Sequence, residues 1–125
     1  MTNFTKITLF IALLINSSLA MANHLGGNLM FTARLNGAQQ VPAITTTANG
    51  VAGFTFNENR DSLWLNVNLT GLSGAITGIH IHEASVGVNG PVIVDLATYL
   101  TGTTVKGVLT GSAITKAFIS KMLQG

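Results

Sequence analysis

Ser62-Leu63-Trp64-Leu65-Asn66-Val67-Asn68-Leu69 alternates without a break, with Leu63, Leu65, Val67 and Leu69 on one side and Trp64, Asn66 and Asn68 on the other. Successive side chains of a strand leave opposite faces, so the octet predicts a strand with one buried and one open surface. A helix would throw the same four apolar residues onto opposite sides of its cylinder. Trp64 shares its face with the two asparagines: it is either an aromatic on a binding face or, as its bulk favours, a core residue against an opposite sheet or a helix.

The surroundings of the octet continue the pattern. The polar stretch 57–61 reads as a hairpin tip, and residues 51–56 before it as a second strand. Residues 29–35 put Leu29, Phe31, Ala33 and Leu35 on one face and Thr32 and Arg34 on the other, before Asn36-Gly37 turns the chain. Val41-Pro42 opens an irregular loop, because proline lacks an N–H and restricts its neighbour. Beyond the octet, Gly71, Ser73 and Gly74 interrupt the alternation and residues 75–83 resume it, with Ile79 and Ile81 on one side and Gly78, His80 and His82 on the other. Asn89-Gly90 is the turn signal of the next loop, and residues 91–96 and 103–110 predict two more strands. All fourteen glycines lie after residue 25, spaced as breakers between short strands.

The last stretch has another period. Ile114, Phe118 and Met122 recur every four residues, so residues 113–123 predict one short amphipathic helix with Ser112 as its N-cap. Six strands and a terminal helix predict an all-β fold: an antiparallel, Greek-key-like β-sandwich whose helix lies across one open end or edge.

At the other end, residues 1–22 have the order of an export signal: Lys6, an apolar run over 7–15, then small and polar residues ending in Ala20-Met21-Ala22, with cleavage before Asn23. The apolar run is too short to span a bilayer, which takes about twenty residues. Residues 23–125 then form one domain, secreted or periplasmic. Charged residues make up 8% of the chain and its formal charge is +2, one unit of which belongs to Lys6 in the leader. So weak a field gives nucleic acid and membrane surfaces no electrostatic reason to bind. With no cysteine, an exported domain has to rely on its packed core.

His80 and His82 stand two apart on a strand, so both imidazoles leave one face, their α-carbons roughly 6.5–7 Å apart. Two neutral imidazoles on one face suit copper or zinc, and as a metal site the pair needs a third ligand. As plain structure they are polar residues on a half-buried strand, bonded to neighbours or water. Glu83 falls on the opposite face of a regular strand, and His24 lies near the new N-terminus. Glu83 and Asp95 are single acids with no partner in the linear pattern, neither Ser73 nor Ser85 has a nucleophile-elbow context, and the glycines make no phosphate-binding fingerprint. The chain therefore reads as non-enzymatic.

Three blocks of this sequence resemble the CHRD domain, known from the growth-factor antagonist chordin and from exported bacterial proteins. The first is Phe31-Thr32-Ala33-Arg34-Leu35-Asn36-Gly37-Ala38-Gln39-Gln40-Val41-Pro42. The second joins Gly50-Val51-Ala52-Gly53-Phe54 to Leu65-Asn66-Val67-Asn68-Leu69-Thr70-Gly71-Leu72. The third is Ile79-His80-Ile81-His82-Glu83 followed by Gly87-Val88-Asn89-Gly90-Pro91-Val92. The resemblance implies an exported binding or structural module for a protein or small ligand. Members of that family usually continue past the helix into about two closing strands, so the stop at Gly125 implies one of two things: the sequence is a fragment of a longer domain, or a sheet edge is left uncovered, which implies marginal stability, degradation or pairing of that edge in a homodimer. The window over residues 78–83 is also similar to the copper-ligand strand of copper–zinc superoxide dismutases. That local likeness implies a copper- or zinc-binding periplasmic protein as the alternative, without the further ligands a catalytic two-metal site requires.

Overall fold

The computed structural model describes residues 27–124 and the backbone of residues 8–11. The predicted cleavage site and His24 lie outside the described residues. Two sheets enclose one hydrophobic core. The larger is antiparallel and contains β2 (Leu29–Asn36), β3 (Asn49–Phe56), β4 (Ser62–Thr70), β7 (Leu100–Thr101) and β8 (Thr104–Thr110), in the order β2-β3-β4-β8-β7. The smaller contains β1 (Thr8–Ile11), β5 (Gly78–His82) and β6 (Val92–Asp95), in the order β1-β5-β6. The chain leaves the large sheet after β4, lays β5 and β6 on the second sheet, and returns as β8 beside β4. A helix, α1 (Lys116–Gln124), closes the described chain. The all-β sandwich with a short C-terminal helix is thus the architecture found.

Alternation supplies the core. Leu63, Leu65, Val67 and Leu69 of β4 are all buried, as are Ala52, Phe54 and Phe56 of β3 and Phe31, Ala33 and Leu35 of β2. Ile79, Ile81, Val94 and Leu96 face them from the smaller sheet. Phe118 and Met122, one helical turn apart, come in from α1. Phe56 binds the layers together: its ring meets Phe31 edge-on at 6.1 Å and Phe118 at 6.2 Å between centroids, the perpendicular arrangement the aromatic quadrupole favours.

Four details differ from the sequence reading. The helix begins at Lys116, because Gly111–Ala113 is a separate 3-10 turn with Gly111 at φ 70°. The hydroxyl of Thr115, in place of Ser112, then accepts the Phe118 N–H at 3.0 Å. β5 starts at Gly78, since residues 75–77 are not part of the ladder. Leu100–Thr101 adds a two-residue strand, too short for period-two hydrophobicity to register. Finally, Thr8–Ile11 pairs in parallel with Gly78–Ile81 at one edge of the smaller sheet, a departure from purely antiparallel pairing that the long intervening chain permits; this strand falls within the predicted export leader, so a chain cleaved before Asn23 lacks it and has β5 at that edge.

The β3–β4 hairpin is held by its own side chains. Asn57 accepts the N–H groups of Asp61 and Ser62 through Oδ1, and its Nδ2 donates to Asp61 Oδ1 at 2.6 Å. The hydroxyl of Ser62 donates to the same carboxylate at 2.9 Å. First the Asn57 bond and then the Ser62 bond hold the Asp61 carboxyl below its ordinary value of 3.8. Arg60 sits in the left-handed region at φ 61°, where its guanidinium donates to the carbonyls of Gly27, Asn57 and Glu58.

Candidate functional site

Two places carry chemistry. The first is the His80/His82 pair. β5 buries Ile79 and Ile81 against the core and turns Gly78, His80 and His82 to its other face. The two rings stand edge to face with centroids 5.8 Å apart. His82 Nδ1 lies 2.8 Å from the Gly90 carbonyl oxygen. Carbonyl oxygen can only accept, so Nδ1 carries a proton, and Nε2 is buried. His80 folds back over Gly78, where an added Cβ would stand 2.9 Å from its Cε1. Its Nδ1 is buried with no hydrogen-bond partner.

The other acids stay apart from the pair. Glu83 turns to α1 and pairs with Lys121 at 2.8 Å. Asp95 stands opposite His80 in the ladder but directs Oδ1 to the Ala97 N–H at 2.8 Å. Among the described residues no group of three His, Cys, Asp or Glu side chains is placed to hold an ion.

The second place is the outer face of the large sheet. Register sets two cross-strand rows side by side: Met30, Thr55, Trp64 and Val108, then Thr32, Gly53, Asn66 and Lys106. Gly53 has no side chain and forms the floor of a shallow trough of about 460 Å³. Trp64 is 46% exposed and Met30 74%, so the tryptophan belongs to this face and not to the core as its bulk favoured. The reason is visible in β4 itself: its inward positions are already taken by Leu63, Leu65, Val67 and Leu69.

A family model described as the CHRD domain matches residues 31–125. The chain belongs to the CHRD-domain family. No curated protein and no solved structure matches it.

The blocks that carry the CHRD resemblance prove to be joined in space. In the first, Asn36 Oδ1 accepts the Gln39 N–H at 3.2 Å while Gln39 Oε1 accepts the Asn36 N–H at 3.0 Å, a reciprocal cap on the turn Gly37–Gln39. Gly37 is required there because a Cβ would overlap the Ile44 carbonyl oxygen. The Val41 carbonyl at the end of that block accepts from Asn89 Nδ2 of the third block at 2.7 Å. Within the third block, the bond from His82 to Gly90 and the Glu83 N–H to Pro91 carbonyl bond at 3.2 Å tie the histidine strand to its following loop. In this CHRD domain His82 therefore has a structural task, whatever else it does. Sequence reasoning put His80 and His82 on one strand face, where β5 has them, and missed Gly53 and Lys106, which only the register sets beside Thr32 and Asn66.

Proposed function

We propose that this CHRD-domain protein is an exported, non-enzymatic binding module, working in the periplasm or outside the cell, and that the trough on the large sheet is its binding face. One observation carries the reading: Trp64 and Met30 lie exposed beside a floor of glycine, on a face whose register supplies hydroxyl, amide and ammonium groups within reach. Exposed bulky apolar side chains bordering a concavity with a few polar groups are the usual composition of a ligand site. The engagement of Glu83 by Lys121, of Asp95 by the Ala97 N–H and of Asp61 by Asn57 and Ser62 supports a role without acid–base chemistry.

Two measurements test this. Mass spectrometry of protein from the exported fraction should give a chain beginning at Asn23, and a chain retaining Met1 in the cytoplasm counts against export. Nitrogen-15-labelled protein should then be titrated with fractionated extracellular material from its host. Resonance shifts gathered at Gly53, Trp64, Asn66 and Lys106 support the binding face, and unchanged spectra with every fraction overturn it.

A copper- or zinc-holding role for His80 and His82 is the second reading, favoured by the buried Nδ1 of His80. A backbone carbonyl on the far nitrogen, as Gly90 provides for His82, is also the usual support of a ligating imidazole. Protein produced with both metals should retain near-stoichiometric metal through dialysis and lose it in the doubly alanine-substituted variant. A metal-free product would end this reading.

A further inference from the structure

We infer that the trough binds an anionic saccharide, with the apolar face of a sugar ring over Trp64 and its acidic groups directed to Lys106 and Arg34. The inference rests on the binding-face reading above and adds the chemistry of the ligand.

Charge is distributed unevenly across this sheet. Lys106 lies in the Gly53 row, and Arg34 lies one row further, on β2 opposite Val51. The described chain gives neither cation a carboxylate partner; its single ion pair, Lys121 with Glu83, belongs to the other side of the molecule. None of the chain's four acids is on the sheet face: Glu58 and Asp61 are in the β3–β4 hairpin, Glu83 follows β5 and Asp95 ends β6. Three strand spacings of about 4.8 Å separate β2 from β8, so the two cations straddle the trough at a span wider than one small anion. An extended ligand with several acidic groups can meet both.

The polar groups between the cations are donors. Asn68 Nδ2 donates to Asn66 Oδ1 at 3.0 Å. That bond engages the oxygen of Asn66 and orients its amide, whose Nδ2 hydrogens are offered to a ligand. Lys106, Arg34 and Asn66 thus present donors to an acceptor-rich ligand, and charge-assisted bonds to carboxylate or sulfate are the stronger kind. At the other end the row is apolar. The indole face of Trp64, negative at its centre, attracts the polarised C–H groups of a pyranose ring. A hydroxylated, acidic ligand with one apolar face satisfies both ends at once. Single-stranded nucleic acid would ask for several stacking aromatics along a basic groove, and this face has one tryptophan and two cations.

Gly53 makes the test clean. A Cβ there would meet only the Asn66 carbonyl oxygen at 3.8 Å, an ordinary contact, so Gly53→Val fills the floor without disturbing the sheet. Trp64 is the chain's one tryptophan, and its fluorescence reports on the trough directly. The mature protein should be titrated with tetragalacturonate and with a heparin tetrasaccharide, which separate carboxylate from sulfate. Fully methyl-esterified tetragalacturonate removes the charge from the same backbone, and polyphosphate supplies charge without a ring.

At least one acidic tetrasaccharide should shift the emission saturably and bind about tenfold more tightly than the ester or polyphosphate. Gly53→Val should abolish binding with the unfolding midpoint no lower than the parent's, and Lys106→Gln should weaken it about tenfold and reduce its salt dependence. Equal binding of the ester overturns the anionic class while leaving the binding face in place. Equal binding of polyphosphate overturns the sugar ring over Trp64 and with it the saccharide class, and binding that survives Gly53→Val overturns the trough as the site. Failure of both acidic tetrasaccharides overturns the saccharide inference alone, because the extracellular-fraction titration decides the broader reading independently.

Discussion

Replacing Gly90 by alanine tests how the histidine strand is built. A Cβ on Gly90 would overlap the Glu83 carbonyl oxygen and stand 2.8 Å from the Ala84 Cβ. Both obstacles belong to the segment leaving β5, and Glu83 is itself tied to Pro91. The backbone must therefore spread, which withdraws the Gly90 carbonyl from His82 Nδ1. Overpacking of this kind costs about 1–3 kcal/mol, and the lost hydrogen bond about 0.5–1.5 kcal/mol. Together they come to about 2–4 kcal/mol, or a fall in Tm of roughly 10–25 °C for a domain of this size. Gly74→Ala is the control, since nothing lies within 4 Å of a Cβ there and its φ is outside the left-handed region. It should unfold within about 0.5 kcal/mol of the parent. Calorimetry measures the stability, and imidazole nitrogen-15 shifts measure whether His82 keeps its proton on Nδ1. If the two variants melt together and the His82 tautomer is the same in both, Gly90 is not the support of His82 and the explanation of the third block fails.

Phe56→Ala removes the ring that touches both Phe31 and Phe118 and should cost about 3–5 kcal/mol in urea unfolding, with Phe56→Leu costing distinctly less. Thr115→Ala deletes the acceptor of the Phe118 N–H and should lower stability by about 1 kcal/mol, which Thr115→Ser restores. Asp61 titrates below its ordinary value, so the stability it adds is present above pH 3.8 and is lost as pH falls through its lower folded value. Asp61→Asn should accordingly flatten the fall in Tm below about pH 4, measured against the parent across that window.

Period two made the large sheet readable, because each of β2, β3 and β4 has one covered face and one open face. The same period placed His80 and His82 together on one face of β5. It could not show what each ring meets: His82 finds its acceptor eight residues along the chain at Gly90, and the Glu83 carboxylate finds Lys121 on a helix. Trp64 was legible but misweighed. A strand buried on one side has no inward position left once four aliphatic residues alternate along it, and that local constraint outweighs the general tendency of large aromatics toward the core.

The trough lay beyond sequence reading for a different reason. Alternation assigns a residue to a face, whereas a site on a sheet depends on which residues stand side by side, and that is set by register. Sliding β3 by two residues past β4 would keep every side chain on its present face and every core residue buried. It would also place Val51 or Thr55 opposite Asn66 where Gly53 now stands, and the floor would be filled. The register in turn follows from the hairpin, where Asn57 gathers the Asp61 and Ser62 N–H groups and fixes the length of the turn. A side chain that fixes the register beneath the trough is thus Asn57, in the hairpin tip two residues beyond Thr55 and outside the trough's own lining.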